Sequence, residues 1–176
     1  SIGHTNSVWF SYGNADNLKS ILSDYSTLIT SLQIGLYDES EWDYIEAADE
    51  VMAEIKSNET IATIYYAFIE IYGGEADGWP YGGVYELDSP ITMRLEIPEE
   101  YREAPAGYTR VFSIIRGHLA TDDSETATRI TPTRDGNDLV FQNDKFSSFA
   151  IVYEDVENEY EYELVNTPET GVLERV

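Results

Sequence analysis

The sequence predicts an α+β protein, an N-terminal helical segment followed by an antiparallel β-sandwich, and three observations carry that prediction. Apolar residues recur at three- and four-residue steps over the first third of the chain. From about Thr60 onward the period changes to two. Short strand signatures then follow one another, separated by turn residues and with no long helix between them, which favours an antiparallel sandwich over a parallel α/β sheet. The chain divides accordingly into a helical region over 1–59, a β-sandwich module over 60–155 and an acidic tail over 156–176.

The first helix is expected from Leu18, Ile21, Leu22, Tyr25, Leu28, Ile29 and Leu32, which fall on one stripe. Asn14 or Asp16 can cap its start and Gly35 can end it. A second helix is expected after Ser40. Trp42, Ile45, Ala48, Met52 and Ile55 mark one side, and Glu41, Asp43, Glu46, Asp49, Glu50 and Glu54 the other. Acids near its start and Lys56 at its end complement the helix dipole. Residues 14–56 are thus expected to be mainly helical.

The strands follow. Residues 60–72 are rich in Ile, Tyr and Thr and end at Gly73 and Gly74. Ile91, Met93, Leu95 and Ile97 alternate with Thr92, Arg94 and Glu96 between Pro90 and Pro98, a half-buried strand. Residues 110–116 and 127–131 read as shorter strands. Asp135 and Gly136 give a tight hairpin signal ahead of a strand over 139–142. Phe149, Ile151 and Tyr153 step by two and share one face, opposite Ser148 and Ala150.

Composition narrows the function. The chain of 176 residues carries 10 Lys plus Arg against 34 Asp plus Glu, a net charge of −24. A phosphate backbone needs a basic footprint that so few cations cannot supply, and an anionic membrane surface would repel the chain. A hydrophobic content of 42% with 13% aromatics is too apolar for a disordered acidic chain, so a packed core is expected. With no cysteine there are no disulfides, thiolate metal sites or Cys nucleophiles. No apolar run approaches the roughly 20 residues of a membrane span.

Catalytic signals are weak. His4 and His118 are the only histidines, and neither sits in a recognisable nucleophile setting; they read as a terminal and a loop residue. Among 34 acids any pair of carboxylates is uninformative for glycoside hydrolysis. Gly73-Gly74 and Gly82-Gly83 lack the spacing and the Lys of a phosphate loop. Asp135, Asn137, Asp138 and Asp144 offer oxygens to calcium, but the spacing is not that of an EF-hand and the turn alone explains Asp135. No cofactor is expected.

Three segments carry a resemblance. LDSPITMRLEIP at 87–98, YTRVFSIIRG at 108–117 and DGNDLVFQNDKFSSFAIVY at 135–153 resemble successive strands of a recurrent β-sandwich module of Gram-positive, sortase-anchored bacterial surface proteins. The upstream stretch 65–72 also fits the module's leading strand, so the likeness spans about half the chain, from near Thr60 to Asp155, and KFSSFAIVY at 145–153 is its most specific part. It implies an extracellular, cell-wall-associated, non-catalytic module, usually near the anchored end of a longer polypeptide. Longer connections at Gly82-Gly83 and at 104–107 depart from the pattern, as does the histidine displaced to His118. Surface domains of this kind sometimes carry a Lys–Asn or Lys–Asp cross-link; only Lys19, Lys56 and Lys145 are available, and Lys145 reads as an exposed turn residue.

The tail adds Pro168, Glu169, Thr170 and Gly171, the Pro-x-Thr-Gly core of a sortase signal, with Thr167 in place of the usual leading Leu. A sortase would cut after Thr170 and join it to an envelope amine. Residues 154–169 hold seven acids and no base, and Tyr160, Tyr162 and Leu164 alternate with glutamates as in an edge strand. The leading expectation is therefore a structural or display module near the wall anchor. The alternative is an adhesin module that contacts a glycan or protein of a host or neighbouring cell. Trp79, Tyr81 and Tyr85, with Trp9, Phe10 and Tyr12, would supply its aromatic surface, although packing under the helical cap explains them as well. A hydrolase is the minor alternative.

Overall fold

A computed structural model describes residues 10–12, 28–73, 80–159, 162–166 and 171–175. In chain order the strands are β1 (Phe10–Tyr12), β2 (Leu28–Leu36), β3 (Thr60–Gly73), β4 (Pro80–Val84), β5 (Glu86–Glu96), β6 (Tyr108–Leu119), β7 (Glu125–Ile130), β8 (Thr133–Asp135), β9 (Asp138–Lys145), β10 (Ser147–Glu157), β11 (Tyr162–Asn166) and β12 (Gly171–Arg175). One short α-helix, α1 (Ala48–Glu54), and a 3-10 turn over Glu39–Tyr44 precede β3, and a second 3-10 turn covers Glu99–Tyr101. The described chain is thus mostly antiparallel β with few helices.

Seven strands form the larger sheet, in the order β1-β4-β3-β10-β6-β7, with β2 also on β3. Among its described strands, only the β1–β4 pair is parallel. The smaller sheet has the order β5-β9-β8, and β11 and β12 pair with each other as a separate hairpin. The longest ladder joins β6 to β10 over ten residue pairs, Ser148↔Gly117 to Glu157↔Tyr108.

Alternation along these strands builds two cores. Phe112, Ile114, Phe149 and Ile151 of the larger sheet meet Met93, Leu95, Leu139 and Phe141 of the smaller one. This two-layer packing is consistent with a β-sandwich. Arg94 and Glu96 face out between the buried Met93 and Leu95, as the period of two predicts. On the opposite face of the larger sheet, Ile64, Ile115, Ala150 and Val152 pack under Ile45 and Val51 of the cap formed by the 3-10 turn and α1. The central strand β10 is therefore covered on both sides. That is why its sequence reads as a nearly continuous apolar run, with every residue from Ser147 to Val152 buried. Phe149 and Ile151 do point away from Ala150, into the core between the sheets.

The helical expectation for the N-terminal region needs correction. Leu28–Leu36 is a strand, not the end of a helix, and it pairs with β3 over nine consecutive residue pairs. Leu28, Leu32 and Ile29 fit a helical stripe, but Leu28, Thr30, Leu32, Ile34 and Leu36 fit a period of two equally well. The β-branched Ile29, Thr30 and Ile34 favour the pleated form. Gly35 does not end a helix; it leaves room for the Tyr66 ring, whose Cε1 would lie 2.6 Å from an added Cβ. The second expected helix shrinks to the 3-10 turn and the seven residues of α1. Leu18, Ile21, Leu22 and Tyr25 lie outside the described residues. The Asp135-Gly136 turn is as expected: Asp135 pairs with Asp138 across it, and Gly136 has φ +63°.

Two strand crossings organise one corner of the molecule. β4 belongs to the larger sheet and β5 to the smaller, so the chain changes sheets at Tyr85. β9 belongs to the smaller sheet and β10 to the larger, so the chain changes back at Phe146. The crossings touch: the Phe146 N–H donates to the Tyr85 carbonyl at 2.8 Å, and Glu86 pairs with Lys145. Strands that switch sheets in this way close the corner between two layers.

Candidate functional site

Among the described residues, five of the seven buried polar side chains, those of Arg116, His118, Asn143, Ser147 and Ser148, gather at that corner. β6 presents Phe112, Ile114, Arg116 and His118 to one face by its period of two, so two polar groups follow two apolar ones into the interior. His118 is not a loop residue. It lies inside β6 and is 2% exposed. Its Nδ1 is 2.8 Å from the Phe146 carbonyl oxygen and its Nε2 is 2.9 Å from Glu86 Oε1. One imidazole thus bridges both crossings, touching the residue after the first and the residue that makes the second.

Arg116 is buried beside it. Its Nη1 donates to Asn143 Oδ1 at 3.0 Å and to Asp144 Oδ1 at 3.3 Å, while its Nε is buried without a partner. Burial pushes the Arg116 guanidinium below its ordinary value, and Asp144 works against that shift. Asn143 is held in turn: its Nδ2 donates to Met93 Sδ at 3.2 Å, and its Oδ1 accepts from the Lys145 N–H at 3.4 Å. On the cap side, the Ser147 hydroxyl donates to Glu46 Oε2, and Ser148 Oγ donates to the Glu46 carbonyl at 3.4 Å.

Ion pairs secure the rest of the described surface. Arg110 grips Asp155 with two bonds of 2.8 Å and stacks over the Tyr153 ring, 3.9 Å from its centre. The Arg110 bond holds the Asp155 carboxyl below the usual carboxylate range. Arg129 contacts Glu59 at 2.7 and 2.8 Å and lowers its carboxyl in the same way. Tyr37 is pushed up to about 12, first by burial and then by Glu46, Glu41 and Tyr66; it meets Tyr66 edge-on at 5.4 Å.

The chemistry of the corner follows from these partners. Ser147 is bonded to Glu46 and His118 to Glu86 and a carbonyl, so serine and histidine are not joined as a nucleophile and its base would be. Of the residues considered for calcium, Asp135 and Asp138 face Arg94 and Asp144 faces Arg116. Among the described residues no group of three His, Cys, Asp or Glu side chains is arranged to hold a metal ion. An open depression lined by Glu99, Glu100, Arg102, Glu103, Arg134 and Asn137 lies away from the corner.

The sequence-predicted residues fall elsewhere. Trp79 and Trp9 lie outside the described residues, as do Pro168, Glu169 and Thr170. Tyr81 is placed by its backbone in β4, and Phe10 and Tyr12 by theirs in β1, opposite Gly82 and Val84. Tyr85 is half-buried and serves the crossing through its carbonyl. Gly171 opens β12 opposite Asn166, so the expected edge-strand segment pairs with β12 and not with either larger sheet. Sequence reasoning missed Glu46, Glu86, Arg116 and His118 as one cluster. The available signal was two polar residues at even spacing that continue the face lined by Phe112 and Ile114. Comparison with protein-family models, with curated proteins and with solved structures gives no match.

Proposed function

We propose that the chain is a non-catalytic β-sandwich module of a bacterial cell-surface protein, serving a structural or display role near a wall anchor at Pro168, Glu169, Thr170 and Gly171. The observation that carries this reading is the way the buried polar groups are used. Glu86, Arg116, Asn143 and His118 bond to one another and to the backbone across the strand crossings, so their chemistry is consumed in holding the corner. The three segments that resemble the surface module fall on β5, β6, β9 and β10, which supply most of the core between the sheets. Stabilising ion pairs on a strongly acidic surface suit a soluble spacer that resists self-association. Extracellular location, and sortase as the partner that would act on the tail, belong to the same proposal.

An adhesin role for Trp79, Tyr81 and Tyr85 is the competing reading. A glycan and extracellular-protein array probed with the full chain separates the two. The structural reading expects no reproducible binding. Binding that disappears in Trp79→Ala would replace it with the adhesin reading.

A further inference from the structure

A neutral imidazole carries one N–H, yet His118 faces an oxygen acceptor on each ring nitrogen. The Phe146 carbonyl can only accept, so Nδ1 holds a proton. The contact between Nε2 and Glu86 Oε1 then needs a second proton, on the ring or on the carboxyl. With both contacts made, the pair holds one proton more than a neutral imidazole beside an ionised carboxylate.

We propose that His118 and Glu86 form a proton-dependent clasp over the two strand crossings, closed while that extra proton is bound and released when it leaves. Loss of the proton sets two lone pairs against each other at hydrogen-bond distance, so one partner must withdraw. The ring is 2% exposed and sits within the β6 ladder, and the Phe146 carbonyl is main chain at the crossing. Glu86 is the group free to move. Its side chain is 27% exposed, and the β5–β9 pairing is interrupted between it and Ile91. Withdrawal of Glu86 therefore loosens the first residue of β5, next to the Tyr85 carbonyl that holds Phe146.

The charged and polar neighbours fix which group responds. On β6, Arg116 shares the face of His118 but is engaged by Asn143 and Asp144 of β9. Lys145 of β9 stands opposite Glu86 in register. β10 contributes Ser147, held by Glu46 of the cap. β7 contributes Thr126 opposite His118, with Glu125 one pair further on and bonded to the Ala47 N–H. Among the described residues Glu86 alone makes a side-chain bond to the imidazole, and imidazole is the side-chain type whose ordinary charge change falls between about pH 5 and 8. The clasp thus couples loss of that proton to one corner and not to the whole sheet.

Amide hydrogen exchange on the full chain tests this, with intrinsic rates divided out at each pH. Protection of the Phe146 amide is expected to fall by about tenfold or more relative to Ile114, in the middle of the β6–β10 ladder, as pH rises from about 5 to 8. The His118 ring resonances, two histidines being easily told apart, should titrate in step with that loss. In Glu86→Gln the side-chain amide can donate to an unprotonated Nε2, so the contact survives without the extra proton and the pH dependence should vanish. The same pH course in wild type and Glu86→Gln overturns the clasp. So does a ring titration that leaves the Phe146 to Ile114 ratio unchanged, and that ratio decides even if the variant is less stable overall.

Discussion

Replacing Gly117 by alanine probes the seating of the helical cap on the larger sheet. Gly117 lies in ordinary strand backbone, so alanine brings no left-handed strain. The added Cβ would overlap Ser148 Oγ, lie 2.7 Å from Val51 Cγ2 and lie 3.0 Å from the Glu46 carbonyl oxygen. Turning the Ser148 hydroxyl away gives up its bond to that carbonyl, worth about 0.5–1.5 kcal/mol. Pushing Val51 off its rotamer costs about 0.5–1.5 kcal/mol more. Alanine in place of glycine returns about 0.4–1 kcal/mol through the unfolded chain. Taken at mid-range, these leave a net loss of about 1.3 kcal/mol, comparable to ordinary overpacking. Urea unfolding measures the total. Hydrogen exchange locates it: the Val51 amide, bonded to the Ala47 carbonyl at 2.9 Å, should lose protection while the amides of Ile114 and Ile151 keep theirs. A variant as stable as the wild type or more so, the usual outcome of a Gly-to-Ala change in open space, would refute the packing of Val51 and Glu46 against β6.

Three other outcomes follow from the packing and the ion pairs. Phe149→Ala should cost about 3–5 kcal/mol, because the ring is fully buried against Phe141, and a loss below about 1 kcal/mol in denaturant melts would remove it from the core. Gly35→Ala should cost about 1–3 kcal/mol by lifting the Tyr66 ring from Phe68 and Tyr37, with a change in near-ultraviolet dichroism as the direct sign. For pH, folding lowers the Asp155 and Glu59 carboxyls, so their contribution is whole above the ordinary carboxylate range near about 4 and is lost as pH falls through the folded values. The net charge of −24 acts the other way, since moderate acidification relieves repulsion. The melting temperature should therefore rise on acidification to about pH 5 and fall below about pH 4, and a continued rise into strong acid would contradict the ion-pair contribution.

The parts of the fold legible in the sequence are those where local pattern and tertiary demand agree. Met93 and Leu95 alternate with Arg94 and Glu96 because β5 is covered on one face only, and Asp135-Gly136 is a turn because glycine supplies the positive φ there. β2 was opaque for the opposite reason. Leu28, Ile29 and Leu32 satisfy a helix and a strand alike, and only nine pairings to β3, distant in sequence, decide between them. The polar corner was opaque as well. Nothing near His118 in sequence announces Glu86 or Phe146, which arrive from β5 and β9–β10 only once both chains cross between the sheets.

The wall-anchoring part of the display reading depends on the tail, and a sortase reaction on the full chain tests it. With a Gram-positive sortase and a labelled triglycine nucleophile, cleavage between Thr170 and Gly171 should replace residues 171–176 by the label, giving one new amide at Thr170 and one released peptide. Gly171 is paired to Asn166, so Leu173→Pro, which breaks the β11–β12 ladder, should speed the transfer. A chain that stays intact while a Leu-Pro-x-Thr-Gly control peptide is consumed would contradict the wall-anchored display role, and restoration of transfer only in Thr167→Leu would contradict it equally.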